Sequence, residues 1–105
     1  MKVNSERIIT LNKVTIRVAN YVDDSMFYKN TQLEADKFYK VLKDTKADMY
    51  EIDFDGLAYL QGHFFNLSIG KFMKEGHKCE FINVNKLDEG YLDVLLKRLK
   101  ENAHS

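Results

Sequence analysis

Apolar residues recur along the chain at two spacings, every second residue and every third to fourth, and the alternation between them predicts the fold. Val14, Ile16 and Val18 alternate with Thr15 and Arg17, the pattern of a half-buried strand. Ile8 to Leu11 supplies a partner and Asn12-Lys13 a short turn, so Glu6 to Asn20 reads as an antiparallel hairpin. The looser stretch from Tyr21 to Asn30 then carries the chain across the fold. Thr31-Gln32-Leu33-Glu34 has capping-box spacing, in which the threonine and the glutamate each satisfy an orphan backbone donor. Behind it Leu33, Ala35, Phe38, Tyr39, Val41 and Leu42 form the apolar stripe of a helix over 31–43. Lys40 and Lys43 sit favourably near its negative C-terminal end.

In Met49 to Phe54 the apolar Tyr50, Ile52 and Phe54 share one face, and Met49, Glu51 and Asp53 the other. A strand sandwiched between two helix layers is apolar on both faces, so helices are expected mainly on one side of the sheet. Asp55-Gly56 breaks the strand, and Leu57 to Leu60 is a short apolar connection. A second helix is predicted over 62–76, with Phe64, Phe65, Ser68, Ile69, Phe72 and Met73 as its buried stripe and Gly76 as its C-cap. Gly70 within it costs ~1 kcal/mol relative to alanine, which a close approach to the sheet would explain. Cys79 to Val84 is the next strand. A third helix over 88–101 turns Tyr91, Leu92, Leu95, Leu96 and Leu99 inward, with Leu87 placed as a hydrophobic staple, and the tail from Asn102 to Ser105 is expected to fray.

The resulting order, β-β-α-β-α-β-α, predicts an α/β fold: a small mixed sheet with an N-terminal antiparallel hairpin and about three helices mainly on one face. No proline occurs, and no low-complexity stretch suggests a linker, so residues 1–105 read as one domain.

Composition narrows the function by exclusion. Sixteen basic and 16 acidic residues balance to zero net charge, and the lysines are dispersed, which argues against nucleic acid as a ligand. No apolar run approaches the ~20 residues of a membrane helix. The first six residues do not resemble a signal peptide. With one cysteine, Cys79, neither an internal disulfide nor a Cys-rich zinc site is expected, and a cytoplasmic setting is the simplest. Cys79 opens an apolar run, where a free cysteine usually acts as a small core residue.

The run Asp53-Phe54-Asp55-Gly56-Leu57-Ala58-Tyr59-Leu60-Gln61-Gly62-His63-Phe64, followed by Gly70-Lys71-Phe72, resembles the STAS and STAS-like domains, which include the anti-sigma factor antagonists. Their pattern is a strand ending in Asp-aromatic-x-Gly-aliphatic, a short loop with serines, and a helix containing Gly-Lys-aliphatic. Phe81 to Val84 resembles their next strand and Thr31 to Leu42 their first helix, so the likeness spans roughly residues 31–100. The resemblance implies a non-enzymatic regulatory module that binds a protein partner, such as an ATPase or kinase of the anti-sigma type or another regulator. Its surface would be the loop after the Asp53 strand and the start of the second helix. Gln61, Gly62, His63 and Asn66 are the expected exposed contacts, with Asp55 at the rim. Antagonists carry a phosphorylated serine at this helix start, where free N–H groups and the helix dipole tolerate phosphate. Here Gln61-Gly62-His63 has no hydroxyl, and the nearest serine, Ser68, falls on the buried stripe. No serine phosphoswitch is expected.

The remaining chemistry is sparse. His63 reads either as a contact to a partner or ligand or as an ordinary exposed helix-start residue. Asp53, Asp55 and His63 lack any metal-ligand spacing, and Asp55-Gly56 is good turn chemistry. No GxGxxG, P-loop, GxSxG or Ser/His/Asp constellation occurs, so no catalytic residues, metal or cofactor are expected. Two alternatives remain beside the protein-binding module. One is a small-ligand or nucleotide sensor at the same strand-end loop, where open α/β sheets bind ligands. The other is a structural protein that self-associates through the sheet's open face or the N-terminal hairpin edge.

Overall fold

Three parallel strands in the order β1-β2-β3 form the sheet: β1 (Lys13–Arg17), β2 (Met49–Asp53) and β3 (Lys78–Ile82). A computed structural model describes residues 12–23, 25 and 27–103. Helix α1 (Phe27–Asp44) connects β1 to β2. Between β2 and β3 runs α2, a continuous rod made of Gly62–Phe65, a π-helical turn Asn66–Gly70, and Lys71–Lys74. After β3, a 3-10 turn Lys86–Asp88 leads into α3 (Glu89–Ala103). No helix among the described residues is long and apolar enough to cross a membrane.

The expected mixed sheet with an antiparallel hairpin is corrected here. Ile8 to Leu11 lies outside the described residues, and β1 pairs in parallel with β2 in the register Val14–Tyr50 and Ile16–Ile52. Asn12 does not serve as a hairpin turn. Its carbonyl accepts the N–H groups of Asp48 and Met49 at 2.8 and 3.1 Å, and its own N–H donates to Asp48 Oδ2. It therefore anchors the start of β1 to the start of β2. A period-2 pattern fixes which face is buried but not the direction of the neighbour, which is why the strand was legible and its pairing was not.

The sheet is one-sided, as the alternation in β2 requires. Val14, Tyr50 and Cys79 form one row of the helix-covered face, and Ile16, Ile52 and Phe81 the next. Onto these rows pack Ala35, Phe38 and Leu42 of α1, Phe64, Phe65, Ile69 and Phe72 of α2, and Leu92 and Leu95 of α3, all buried. The other face carries charge instead of apolar bulk. Lys13 Nζ reaches Glu51 at 3.3 Å and Glu80 at 3.0 Å, and Thr15 donates to Glu51 at 2.8 Å. Parallel sheets usually have helices on both faces. Here a cross-strand row of paired charges lets one face remain wet.

Several local expectations change for identifiable reasons. The residue before the regular part of α1 is Asn30, extended at φ −158°, and its Oδ1 accepts the Leu33 N–H at 3.1 Å. Asn30, not Thr31, is thus the N-cap. Glu34, placed by sequence in a capping box, instead accepts the Asp23 N–H at 3.0 Å and pairs with Lys37 at 2.8 Å. It tethers the segment before α1 while almost wholly buried. Leu33 is left half-exposed. A Cβ at Gly70 would meet the Phe65 carbonyl and Leu99 of α3, so the close approach there is to a helix and not to the sheet. Helix α3 continues through Asn102 and Ala103, where fraying was expected, while the last two residues lie outside the described ones.

Candidate functional site

A parallel sheet presents all its strand C-termini at one end, and that end is where open α/β sheets bind ligands. Here Arg17 closes β1, Asp53 closes β2, and Asn83 follows β3. Asp53 Oδ1 accepts the Asn83 side-chain amide at 2.9 Å and the Asp55 N–H at 2.8 Å. The Asn83 amide first, and the Asp55 N–H second, hold the Asp53 carboxyl below its ordinary range. Asn83 adopts φ 56° to make this contact, a left-handed conformation that asparagine tolerates better than most residues. Arg17 donates to Asn20 Oδ1 at 2.9 Å and lies 3.4 Å from Asp55 Oδ2. Gly56 turns the chain away at φ 85°, and a Cβ there would collide with the Arg17 guanidinium. The strand ends are thus tied together by their own polar side chains, and the Arg17 charge is matched by Asp55.

The chain next reaches the start of α2. Gln61 is extended at φ −101°, and its Oε1 accepts the Phe64 N–H at 2.6 Å, capping the helix. Its Nε2 lies 3.5 Å from Thr31 Oγ1, which links the cap to α1. Gly62 is buried, since a Cβ on it would collide with the Tyr91 hydroxyl of α3. His63 and Asn66 are exposed. Ser68 is fully buried and donates its hydroxyl to the Phe64 carbonyl at 2.7 Å. That bond competes with the backbone ladder inside the stretch where α2 widens into its π turn.

Of the five residues expected to face a partner, Asp55, His63 and Asn66 are exposed, whereas Gln61 and Gly62 are not free surface. Gln61 is half-buried because a helix N-terminus needs an acceptor, and Gly62 because a neighbouring ring occupies the space of a side chain. Asp53, Asp55 and His63 do not form a ligand cluster, and no group of three metal-ligating side chains occurs among the described residues.

The residue that sequence reasoning missed is Tyr91. The apolar spacing turns it inward on the third helix, yet it is 43% exposed, as is Val94, and Leu87 is 90% exposed where the pattern predicts a buried staple. The turn before α3 is held by polar groups instead. Asn85 Oδ1 accepts the Leu87 N–H, and Asp88 Oδ2 accepts the Leu60 N–H. Tyr91 and Val94 lie three residues apart and share a flank of α3, and the exposed Leu87 sits in the turn just before it. The signal was present in the sequence, since this row is offset from the Leu92, Leu95 and Leu99 row by about one residue. Through the contact at Gly62, Tyr91 brings that apolar flank beside the start of α2.

The chain matches no family model, no curated protein and no solved structure.

Proposed function

We propose that this chain is a non-enzymatic, STAS-like regulatory module of the cytoplasm, which binds a protein partner at the start of α2 and works without a serine phosphoswitch. One observation carries the reading: the Tyr91 ring end packs beside Gly62, which sets the exposed Tyr91 and Val94 flank of α3 next to the helix start that bears the exposed His63 and Asn66. Polar groups next to a solvent-facing aromatic and an aliphatic side chain are the composition of a protein-docking surface, where tyrosine is favoured as an anchor. The missing switch is supported by Ser68, whose hydroxyl is buried and engaged.

The small-ligand alternative finds less support at this end of the sheet. The space beneath the loop, lined by Phe54, Leu60 and Val84 among others, measures about 10 Å³, room for no more than a single water. The depression at Ala19, Val22, Asp23, Gly56 and Leu57 holds about 360 Å³, and among the described residues its lining contributes an acidic side chain and no cation for a phosphate. Arg17, the cation at these strand ends, is taken by Asp55 and Asn20.

The test is affinity capture from the native host, with His63→Glu, Asn66→Lys and Tyr91→Ala compared against the unaltered chain and against Lys40→Glu on exposed α1. A protein retained by the unaltered chain and by Lys40→Glu but lost from all three others supports the surface. Equal retention by all five refutes it.

A further inference from the structure

A second surface lies on the opposite flank of α3. Between the edge strand β3 and residues 93–100 of α3 runs a groove of about 720 Å³, floored by Met73, Cys79, Phe81, Leu96 and Leu99. Its volume falls in the range of small-molecule sites, and its lining is largely hydrocarbon, also typical of them. Cys79 adds to the apolar character, because burial pushes its thiol up to about 12 and keeps it protonated at neutral pH. The rim is charged and unbalanced: Lys74, Lys97 and Lys100 face one carboxylate, Asp93. None of the three lysines makes an ion pair among the described residues, whereas Lys13, Lys37 and Lys43 all do. Along α3, Lys97 and Lys100 lie one and two turns beyond Asp93, so the positive charge that α3 contributes gathers toward its C-terminal end.

An apolar trough ending in unpaired cations is complementary to an amphiphile with an anionic head. We propose that the β3–α3 groove binds a fatty-acid-like anion, its alkyl chain against Met73, Phe81, Leu96 and Leu99 and its carboxylate among Lys74, Lys97 and Lys100. The groove supplies few polar atoms besides these charged side-chain ends, so ligand selection would rest on chain length and head-group charge. The site is separate from the surface at the start of α2, and it stands or falls independently of that reading.

The probe is dodecanoate below its micellar concentration, titrated into the full chain, with dodecanol as the uncharged control. Binding is read from methyl resonances, which requires no variant to fold. Saturable shifts should appear at Met73, Leu96 and Leu99 while Leu33 and Val94 stay unmoved, and the melting temperature should rise with ligand concentration. Dodecanol should bind about fivefold or more weakly. Lys97→Glu and Lys100→Glu, both at exposed positions, should each weaken dodecanoate by about fivefold, the scale of an exposed ion pair, and leave dodecanol unchanged. Three results would each overturn the proposal: no saturable binding, shifts centred elsewhere, or equal affinity for acid and alcohol. A dimer that forms with protein concentration alone and moves the same methyl resonances would give the groove to a second copy of the chain and would equally overturn it.

Discussion

Truncating Phe72 tests the packing from which the rest of the architecture follows. The side chain is fully buried between the sheet and the loop that follows α2. Its ring stacks on His77 at 3.9 Å between centroids, inclined by 4°, and meets the edge of Tyr50 at 4.8 Å and 90°. Tyr50 is fixed in turn, because its hydroxyl donates to the Thr45 carbonyl at 2.6 Å and accepts the Ala47 N–H at 3.2 Å. A cavity at Phe72 therefore has neighbours that cannot easily collapse into it. Phe72→Ala should cost ~3–5 kcal/mol, the range for a buried phenylalanine whose surroundings relax only partly. Against a total stability of roughly 5–15 kcal/mol for a domain of this size, that is a large fraction. Urea denaturation followed by circular dichroism should show the midpoint falling while the slope is retained. A double-mutant cycle with His77→Ala should give a coupling of ~0.5–1.5 kcal/mol for the stacked pair. A loss below ~1 kcal/mol for Phe72→Ala, or no coupling to His77, would refute the packing described here.

Gly62→Ala should push the Tyr91 ring aside, since the new methyl competes with the end of a side chain and not with backbone. Stability should change by less than ~1 kcal/mol, while partner capture is lost as fully as in Tyr91→Ala. The Asp53 carboxyl, lowered from its ordinary value of 3.8, contributes stability that is fully present above that value and is lost as pH falls through the lower folded value. Asp53→Asn should therefore flatten the acid limb of a urea-midpoint profile below about pH 4, and an unchanged limb would contradict the bonding to Asn83. Cys79, with its thiol raised to about 12, should react with iodoacetamide at pH 8 at least two orders of magnitude more slowly than an exposed thiol. Unfolding in urea should restore the ordinary rate.

Much of the architecture was legible because burial is written in periodicity. The rows of Tyr50 and Ile52, of Phe64, Phe65, Ile69 and Phe72, and of Leu92 and Leu95 are inward in both the sequence pattern and the structure. The one-sided sheet followed from Glu51 and Asp53 alone. Illegible features depended on partners distant in sequence. Strand direction is one example, since β1 looks alike beside a parallel or an antiparallel neighbour, and only the register, Val14 with Tyr50 and Ile16 with Ile52, decides it. Glu34 is another, because a glutamate three residues after a threonine suits a capping box equally well whether or not an Asp23 N–H lies within reach. At the candidate site, His63 and Asn66 were placed correctly as exposed, while Gln61 and Gly62 were misplaced because a helix cap and a ring from α3 claimed them. Tyr91 was lost to a stripe whose edge it borders, and aromatic residues at such an edge are the hardest to assign by period.

The start of α2 and the exposed flank of α3 are proposed to act as one docking surface. Its most direct measurement is quantitative mass spectrometry of proteins captured by the unaltered chain and by Tyr91→Ala, with circular dichroism verifying that both are folded. A partner should be enriched on the unaltered chain and depleted at least tenfold on Tyr91→Ala, the loss of ~1.4 kcal/mol or more that truncating an interface anchor produces. Equal enrichment on both folded proteins would contradict it.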